Sequence, residues 1–273
     1  MKTIGMIVPT MDNSFFASLA HAVSEAMKKN GYTVLMCDSR NDAETEKTYY
    51  STLQEAGVSG VISVSGLSQV TDDVIPASLP VVWVDRVPQS DREIPWVAND
   101  DEAAMKEAAK YLIQKGCRNI LLMPGYIAEH QDNPRLNGYR SALEEAGIAY
   151  DPQNVLKRTG KGSSEQETAE LIMKVMKEGR KVDGIITSSD RTAFGAMKAL
   201  GKIGYYSPED VRLISFDNTP YSTMASPSVT SLDRNPASLA DRACEILLEL
   251  IAGKEAQKEN IISVSLVERD STR

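Results

Sequence analysis

Ile4-Gly5-Met6-Ile7-Val8-Pro9, running on into Thr10-Met11-Asp12-Asn13-Ser14-Phe15-Phe16-Ala17-Ser18-Leu19, is the stretch of this 273-residue chain whose reading decides the fold. The apolar run stops abruptly, because Pro9 has no N–H for a central strand and Asp12, Asn13 and Ser14 favour caps and turns. Beyond the break Phe16, Leu19, Val23 and Met27 recur at three- and four-residue spacing, which predicts a helix with one apolar stripe running to about Lys29. Strand, loop and helix therefore follow one another. In an open parallel sheet the loop at a strand's carboxyl end faces the ligand crevice, and a helix amino terminus there offers unpaired N–H groups. That places Asn13, Phe15 and Phe16 at a ligand.

The same pattern repeats outward. Tyr32 to Cys37 reads as a strand, Asp42 to Ala56 as a helix, Gly60 to Val64 and Pro80 to Val84 as strands, and Pro95 to Ala98 as a short strand before a helix capped at Asn99-Asp100-Asp101. The order then restarts: strand 119–123, helix 134–146, strand 154–157, helix 164–179, strand 182–188, helix 190–204, strand 211–216. Alternation of this kind predicts an α/β fold of two similar doubly wound parallel-sheet lobes. The remaining extended stretch at 226–232, the helix marked by Leu239, Ala243, Ile246, Leu247 and Leu250, and a final strand from Ile261 to Val267 are too little for a third lobe. They are read as completing the first two, giving an N-terminal lobe of 1–98 plus 234–260 and a C-terminal lobe of 99–233 plus 261–273, joined by a hinge of three crossovers.

Composition narrows the function classes. With 42% hydrophobic and 25% charged residues and no apolar run near eighteen, the chain reads as a globular protein with no membrane span, and its opening run is too short for a secretory segment, so a cytoplasmic location is expected. A net charge of −8 argues against nucleic-acid contact by these residues, since phosphates need a basic face. Cys37, Cys117 and Cys244 are odd in number and widely spaced, which suits neither a disulfide framework nor a zinc site. No hydrolase elbow, zinc-protease motif, Walker loop or Cys-x-x-Cys occurs. Gly160-Lys161-Gly162-Ser163-Ser164 lacks the upstream glycine of a phosphate loop and reads as a turn into a helix, and His21 and His130, the two histidines, assemble no metal site.

Four polar positions stand at strand or helix ends. Asp190 opens a helix after Ile185-Ile186-Thr187 and serves as a cap, a ligand contact or both. Asp217 ends the strand Leu213 to Phe216, as a turn residue or a ligand contact. Asp85, with Arg86, ends the fourth strand, where an ion-paired loop is the structural alternative. Arg135 opens a helix, where the dipole disfavours a cation; a structural role is thereby unattractive, and its truncation is expected to weaken ligand binding while leaving stability close to the parent's.

Ile4 to Pro9 with Asn13 to Ala17, Val84-Asp85-Arg86, Arg135-Leu136-Asn137-Gly138-Tyr139-Arg140-Ser141-Ala142-Leu143, Phe216-Asp217-Asn218, Ser226 to Leu232 and Leu266-Val267-Glu268-Arg269-Asp270-Ser271-Thr272 together resemble the effector-binding domain of lactose-repressor (LacI/GalR) family transcription regulators. The resemblance covers essentially the whole chain, in the family's order. It implies a periplasmic-binding-protein-like fold of type I, a small-molecule effector held in the cleft between the lobes, homodimerisation through the lobes, and a helix-turn-helix DNA-binding domain lying outside these residues. Arg135 matches the family arginine that binds effector hydroxyls or carboxylates, Asp217 the aspartate that pairs with sugar hydroxyls, Phe15 and Phe16 its cleft aromatics, and Asp85 an acidic cleft residue. The sequence departs from the family pattern at Thr10, Ser14 and Gly160, where an Asp, a Pro and in some members an aromatic stand.

The expected function is binding, without catalysis, cofactor or metal: a carbohydrate or its derivative closes the cleft, and the altered dimer geometry respaces DNA-binding heads on the operator. A secreted solute-binding protein of the same fold, a sugar-processing α/β enzyme and a ligand-free scaffold are the rivals. The enzyme would need a base beside an electrophile, and no such pair is visible.

Overall fold

The computed structural model describes residues 2–125, 133–159 and 163–273. Strand β1 (Lys2–Val8) stops at Pro9, and Asn13 opens α1 (Ser14–Lys29) by accepting the Phe15 N–H on Oδ1 at 2.9 Å. The chain continues through β2 (Tyr32–Asp38), α2 (Ala43–Glu55), β3 (Val61–Ser63), β4 (Gln69–Val70), β5 (Val81–Val84), β6 (Gln89–Ser90) and β7 (Trp96–Asn99). Next come α3 (Asp101–Gln114), β8 (Ile120–Leu122), α4 (Pro134–Glu145), α5 (Ser164–Lys177), β9 (Gly184–Ile186), α6 (Asp190–Lys202) and β10 (Arg212–Phe216). It closes with α7 (Pro220–Met224), β11 (Thr230–Asp233), α8 (Pro236–Ile251), β12 (Glu259–Ile262) and β13 (Ser265–Val267).

These elements form two compact units, residues 1–99 with 235–263 and residues 100–234 with 264–273. The first is built on a six-stranded sheet, order β12-β7-β5-β3-β1-β2, in which every pair is parallel. Both faces are covered, as a parallel sheet requires. Ile4, Met6 and Val8 pack beneath α1 and α8, whereas Ile7 points to the opposite face with Tyr50 and Leu53 of α2. The stripe read from the sequence is the buried one: Phe16, Leu19, Val23 and Met27 are each 2% exposed or less, and burying such a side chain contributes about 1.5–3 kcal/mol.

The second unit carries a five-stranded sheet, order β13-β11-β10-β9-β8, parallel except for the edge strand β13. Ile214 and Phe216 of β10 face the core under α3 and α4, and Leu213 faces the core under α5 and α6. Gly138 is what lets α4 settle on α3, since a Cβ there would lie far inside contact distance of the Glu102 carbonyl oxygen and 2.9 Å from Lys106 N.

Two sequence-based elements differ. Residues 154–157 are not a strand: Asp151 and Pro152 set a 3-10 turn over Pro152–Asn154, and only Val155 makes an isolated bridge to Leu122. The segment from Ile261 to Val267 is two strands in different units, β12 parallel to β7 and β13 antiparallel to β11, with Ser263 and Val264 as the passage. Period-2 alternation identifies an extended segment without saying which sheet receives it. Helix α7 and the two-residue pair β4 and β6 were not foreseen, being shorter than any period that marks them.

Candidate functional site

In the first unit the carboxyl ends of β1, β3 and β5 collect polar groups. Asp85, immediately after β5, has φ +69°, and the Arg86 N–H donates back to the Val84 carbonyl at 2.8 Å, the hydrogen bond of a γ-turn centred on Asp85. Positive φ in a residue with a Cβ costs about 1–3 kcal/mol and tends to persist where a site needs it. Arg86 reaches over the Phe16 ring, with Cζ 5.3 Å from its centroid. Glu46 of α2, 1% exposed, accepts the Ser65 hydroxyl and the Gly66 N–H, holding the loop after β3. Burial pushes its carboxyl above the usual range, against the lowering pull of those two bonds and of the Arg86 charge.

The second unit holds the denser cluster. Arg135, in the first turn of α4 and 9% exposed, donates from Nε to Asp101 Oδ2 at 2.8 Å and from Nη1 to the Ser188 carbonyl at 3.4 Å, while its guanidinium lies 4.0 Å from the Phe216 ring centroid. Next to Phe216, Asp217 has φ +100°, the second strand-end aspartate in the left-handed region, and its Oδ1 stands 3.5 Å from Nη1 of Arg234, which follows β11. Both side chains of that pair are almost fully buried, at 6% and 5%. Burial works to raise the Asp101 carboxyl, but the charges of Arg135 and Arg234 and the Arg135 hydrogen bond hold it below the ordinary carboxylate range. Signs thus alternate along Arg135, Asp101, Arg234 and Asp217.

Some sequence-named residues have other work. Asp190, 3% exposed, accepts four bonds from the chain: the Ser215 and Ser231 hydroxyls on Oδ1, and the Thr219 N–H and hydroxyl on Oδ2. Its oxygens are committed to tying α6 to β10, β11 and the turn after β10, and the α6 cap is Ser189, so we remove Asp190 from the ligand-facing set. Phe15 and Phe16, 1% and 2% exposed, are core rings of the first unit packed edge to face at 5.6 Å, and they stabilise the site from beneath. Asn13 is the half-buried cap of α1. The structural role denied to Arg135 from the helix dipole exists after all, because an ion pair with Asp101 and a ring contact outweigh a dipole term of about 0.3–1 kcal/mol. His130 and the Gly160-Lys161-Gly162 turn lie outside the described residues.

Asp101, Arg234 and Glu46 were not singled out by sequence reasoning. Arg234 and Asp101 follow strands directly or within two residues, so the strand-end rule that named Asp217 extends to them. Glu46 had no signal beyond its place in an amphipathic helix. A groove of about 910 Å3 beside α5 and α6 has Met173 and Ala199 in its wall and a rim of mixed lysines and glutamates, with no convergent polar set. Among the described residues no group of three His, Cys, Asp or Glu is placed to hold a metal, and His21 is exposed on α1. The strand-end arrangement is suited to holding hydroxyl groups.

Known proteins share this fold. The family described as periplasmic binding proteins and sugar binding domain of LacI family matches residues 1–269. The ribose operon repressor of Halalkalibacterium halodurans is 28% identical over 271 residues, 99% of this chain and 79% of that protein. The HTH-type transcriptional repressor PurR of Aliivibrio fischeri is 28% identical over 260 residues, 94% of this chain and 77% of that protein. Among solved structures, a periplasmic binding protein/LacI transcriptional regulator from Alkaliphilus metalliredigens complexed with D-xylulofuranose superposes with TM-score 0.88 at 29% identity, over all of both chains.

Proposed function

The chain belongs to the family of periplasmic binding proteins and LacI-type sugar-binding domains, and from that membership we propose that it is the effector-binding module of a transcription regulator, taking a carbohydrate at its strand-end polar residues. The observation that carries this reading is the set of alternating charges Arg135, Asp101, Arg234 and Asp217 around the end of β10, buried apart from the half-buried Asp101. A sugar hydroxyl both donates and accepts, so it satisfies an aspartate oxygen and a guanidinium N–H at once. Asn13, Asp85 and Arg86 of the first unit are the further contacts proposed. Binding is the whole of the chemistry: the cluster contains no nucleophile beside a base.

The regulatory output is a shift between conformations by differential ligand affinity, read out by DNA contact outside these residues, in keeping with a net charge of −8. We place the regulator in the cytoplasm and as a homodimer. No helix among the described residues is long and apolar enough to cross a membrane. Sedimentation at tens of micromolar checks the dimer, since a standard interface is assembled at roughly that concentration. A monomer there refutes it.

The assignment of Asp217 is tested by a thermal-shift screen of monosaccharides followed by calorimetry on Asp217→Asn with whichever sugar stabilises the parent. Losing charged hydrogen bonds of about 1.5–3 kcal/mol weakens binding roughly ten- to a hundred-fold. Parental affinity in the variant overturns the assignment.

A further inference from the structure

We propose that the site selects an uncharged polyhydroxyl ligand and rejects its phosphate esters, with Asp101 as the residue that sets this choice; the inference rests on the carbohydrate-binding reading above. A phosphate monoester brings about −1.5 to −2 charges and needs unmatched cations. Around the end of β10 the guanidiniums of Arg135 and Arg234 are each already matched to a carboxylate: Arg135 to Asp101 at 2.8 Å and Arg234 to Asp217 at 3.5 Å. Turning either arginine to a phosphate breaks its pair and leaves a buried aspartate uncompensated, the costly way to disrupt a buried ion pair. Asp190, buried beside the same turn, adds a third acidic group.

Three long helices of the second unit, whose amino termini are the other common phosphate holders, already have N–H groups there tied to a cap. Asn133 Oδ1 takes the N–H groups of Arg135 and Leu136 at the start of α4, Asp100 takes Ala103 N at α3, and Ser189 takes Thr192 N at α6. In the first unit Asn13 and Asp42 do the same at α1 and α2, and the Arg86 charge acts on the buried Glu46.

What the cluster still offers is of both signs. Asp101 Oδ1 is a buried acceptor and Asn133 Nδ2 a buried donor, each without a hydrogen-bond partner among the described residues. Asn133 is 1% exposed and caps the very turn that carries Arg135. Buried polar atoms of native proteins are generally satisfied, so an acceptor and a donor left without a partner among the described residues point to a ligand whose groups supply both functions. A neutral hydroxyl does this, whereas a phosphate dianion supplies acceptors alone.

The test is calorimetry and thermal shift on the whole chain with matched probes at constant ionic strength: D-ribose against ribose 5-phosphate, D-xylulose against xylulose 5-phosphate, D-glucose against glucose 6-phosphate, and inorganic phosphate. At least one neutral sugar is expected to bind, and its phosphate about tenfold or more weakly, a difference of one decade per 1.4 kcal/mol. In Asp101→Asn the guanidinium of Arg135 loses its counter-charge, so the preference for the neutral sugar narrows by about tenfold. A merely structural Asp101 would lower stability and leave the ratio untouched. Tighter binding of a phosphate ester than of its parent sugar, stabilisation by inorganic phosphate, or an unchanged ratio in Asp101→Asn overturns the proposal while the carbohydrate reading stands. Silence from every sugar, neutral or phosphorylated, overturns both.

Discussion

Truncating Arg135 to alanine should destabilise the ligand-free protein, and the size of the effect follows from three contacts. Breaking a fully buried ion pair costs about 3–5 kcal/mol, because the remaining charge is stranded. Asp101 keeps 17% of its side-chain surface and still feels Arg234, so the expected cost of the pair is lower, about 2 kcal/mol. Loss of the guanidinium from the Phe216 ring at 4.0 Å adds about 0.5–1 kcal/mol. At roughly 2–4 °C per kcal/mol for a chain approaching this size, the thermal midpoint at pH 7 falls by several degrees. The pH dependence separates this mechanism from general damage. In the parent, Asp101 titrates below the ordinary carboxylate range, so it contributes stability that is present above the unfolded-state value and lost as pH falls through the lower folded value. Without Arg135 one of the two charges that lower the Asp101 carboxyl is gone, so Asp101 titrates higher than in the parent, and its protonation as pH falls relieves the loss of the partner. Thermal midpoints of parent and Arg135→Ala should therefore converge as pH is lowered from 7 to 4. A variant as stable as its parent at pH 7, or a deficit that does not change with pH, would refute the assignment of this ion pair.

Gly138→Ala should cost about 3 kcal/mol or more, since its Cβ meets the backbone of α3 at Glu102 and Lys106, which has no rotamer to yield; chemical denaturation measures it, and an unaffected midpoint would mean that the two helices separate freely. Asp190→Ala strands three hydroxyls and one N–H and should cost about 3 kcal/mol, the hydroxyls recovering part of their bonding by rotation; a neutral result in denaturant unfolding would return Asp190 to the ligand-facing set. Glu46→Gln should remove a pH dependence. The folded protein holds Glu46 above its usual range, so its contribution is present at low pH and lost as pH rises through the folded value. Gln should thus match the parent at pH 4 and equal or exceed it at pH 7; midpoints that diverge at pH 4 would contradict this.

Much of the candidate site was legible because it obeys a local rule. Strand, polar break and helix follow in sequence, so Asp85 and Asp217 could be named from their place after an apolar run and Arg135 from its place at a helix start. The rule names a position, not a partner. Asp101 looks like one more acid in the first turn of a capped helix, and only the packing of α3 against α4 brings it to Arg135, thirty-four positions away in the chain. The same blindness misread Arg135, whose helix dipole is a local property and whose counter-ion is not. Asp190 failed in the opposite direction: its position suited a ligand, but Ser215, Thr219 and Ser231, brought in by β10 and β11, had taken its lone pairs.

What the sequence by itself determined is the alternation of elements, hence an α/β architecture with parallel sheets covered on both faces, together with the family, because hydrophobic period and turn chemistry are written within a few residues of where they act. Tertiary structure decided everything that depends on which segments meet. It sent β12 and β13 to different sheets although they are two residues apart, made Phe15 and Phe16 core rings rather than open ones, and matched each buried arginine of the second unit's strand ends with an aspartate. Burial, ion pairing and hydrogen-bond satisfaction are properties of neighbours in space, and no period of the chain encodes who those neighbours are.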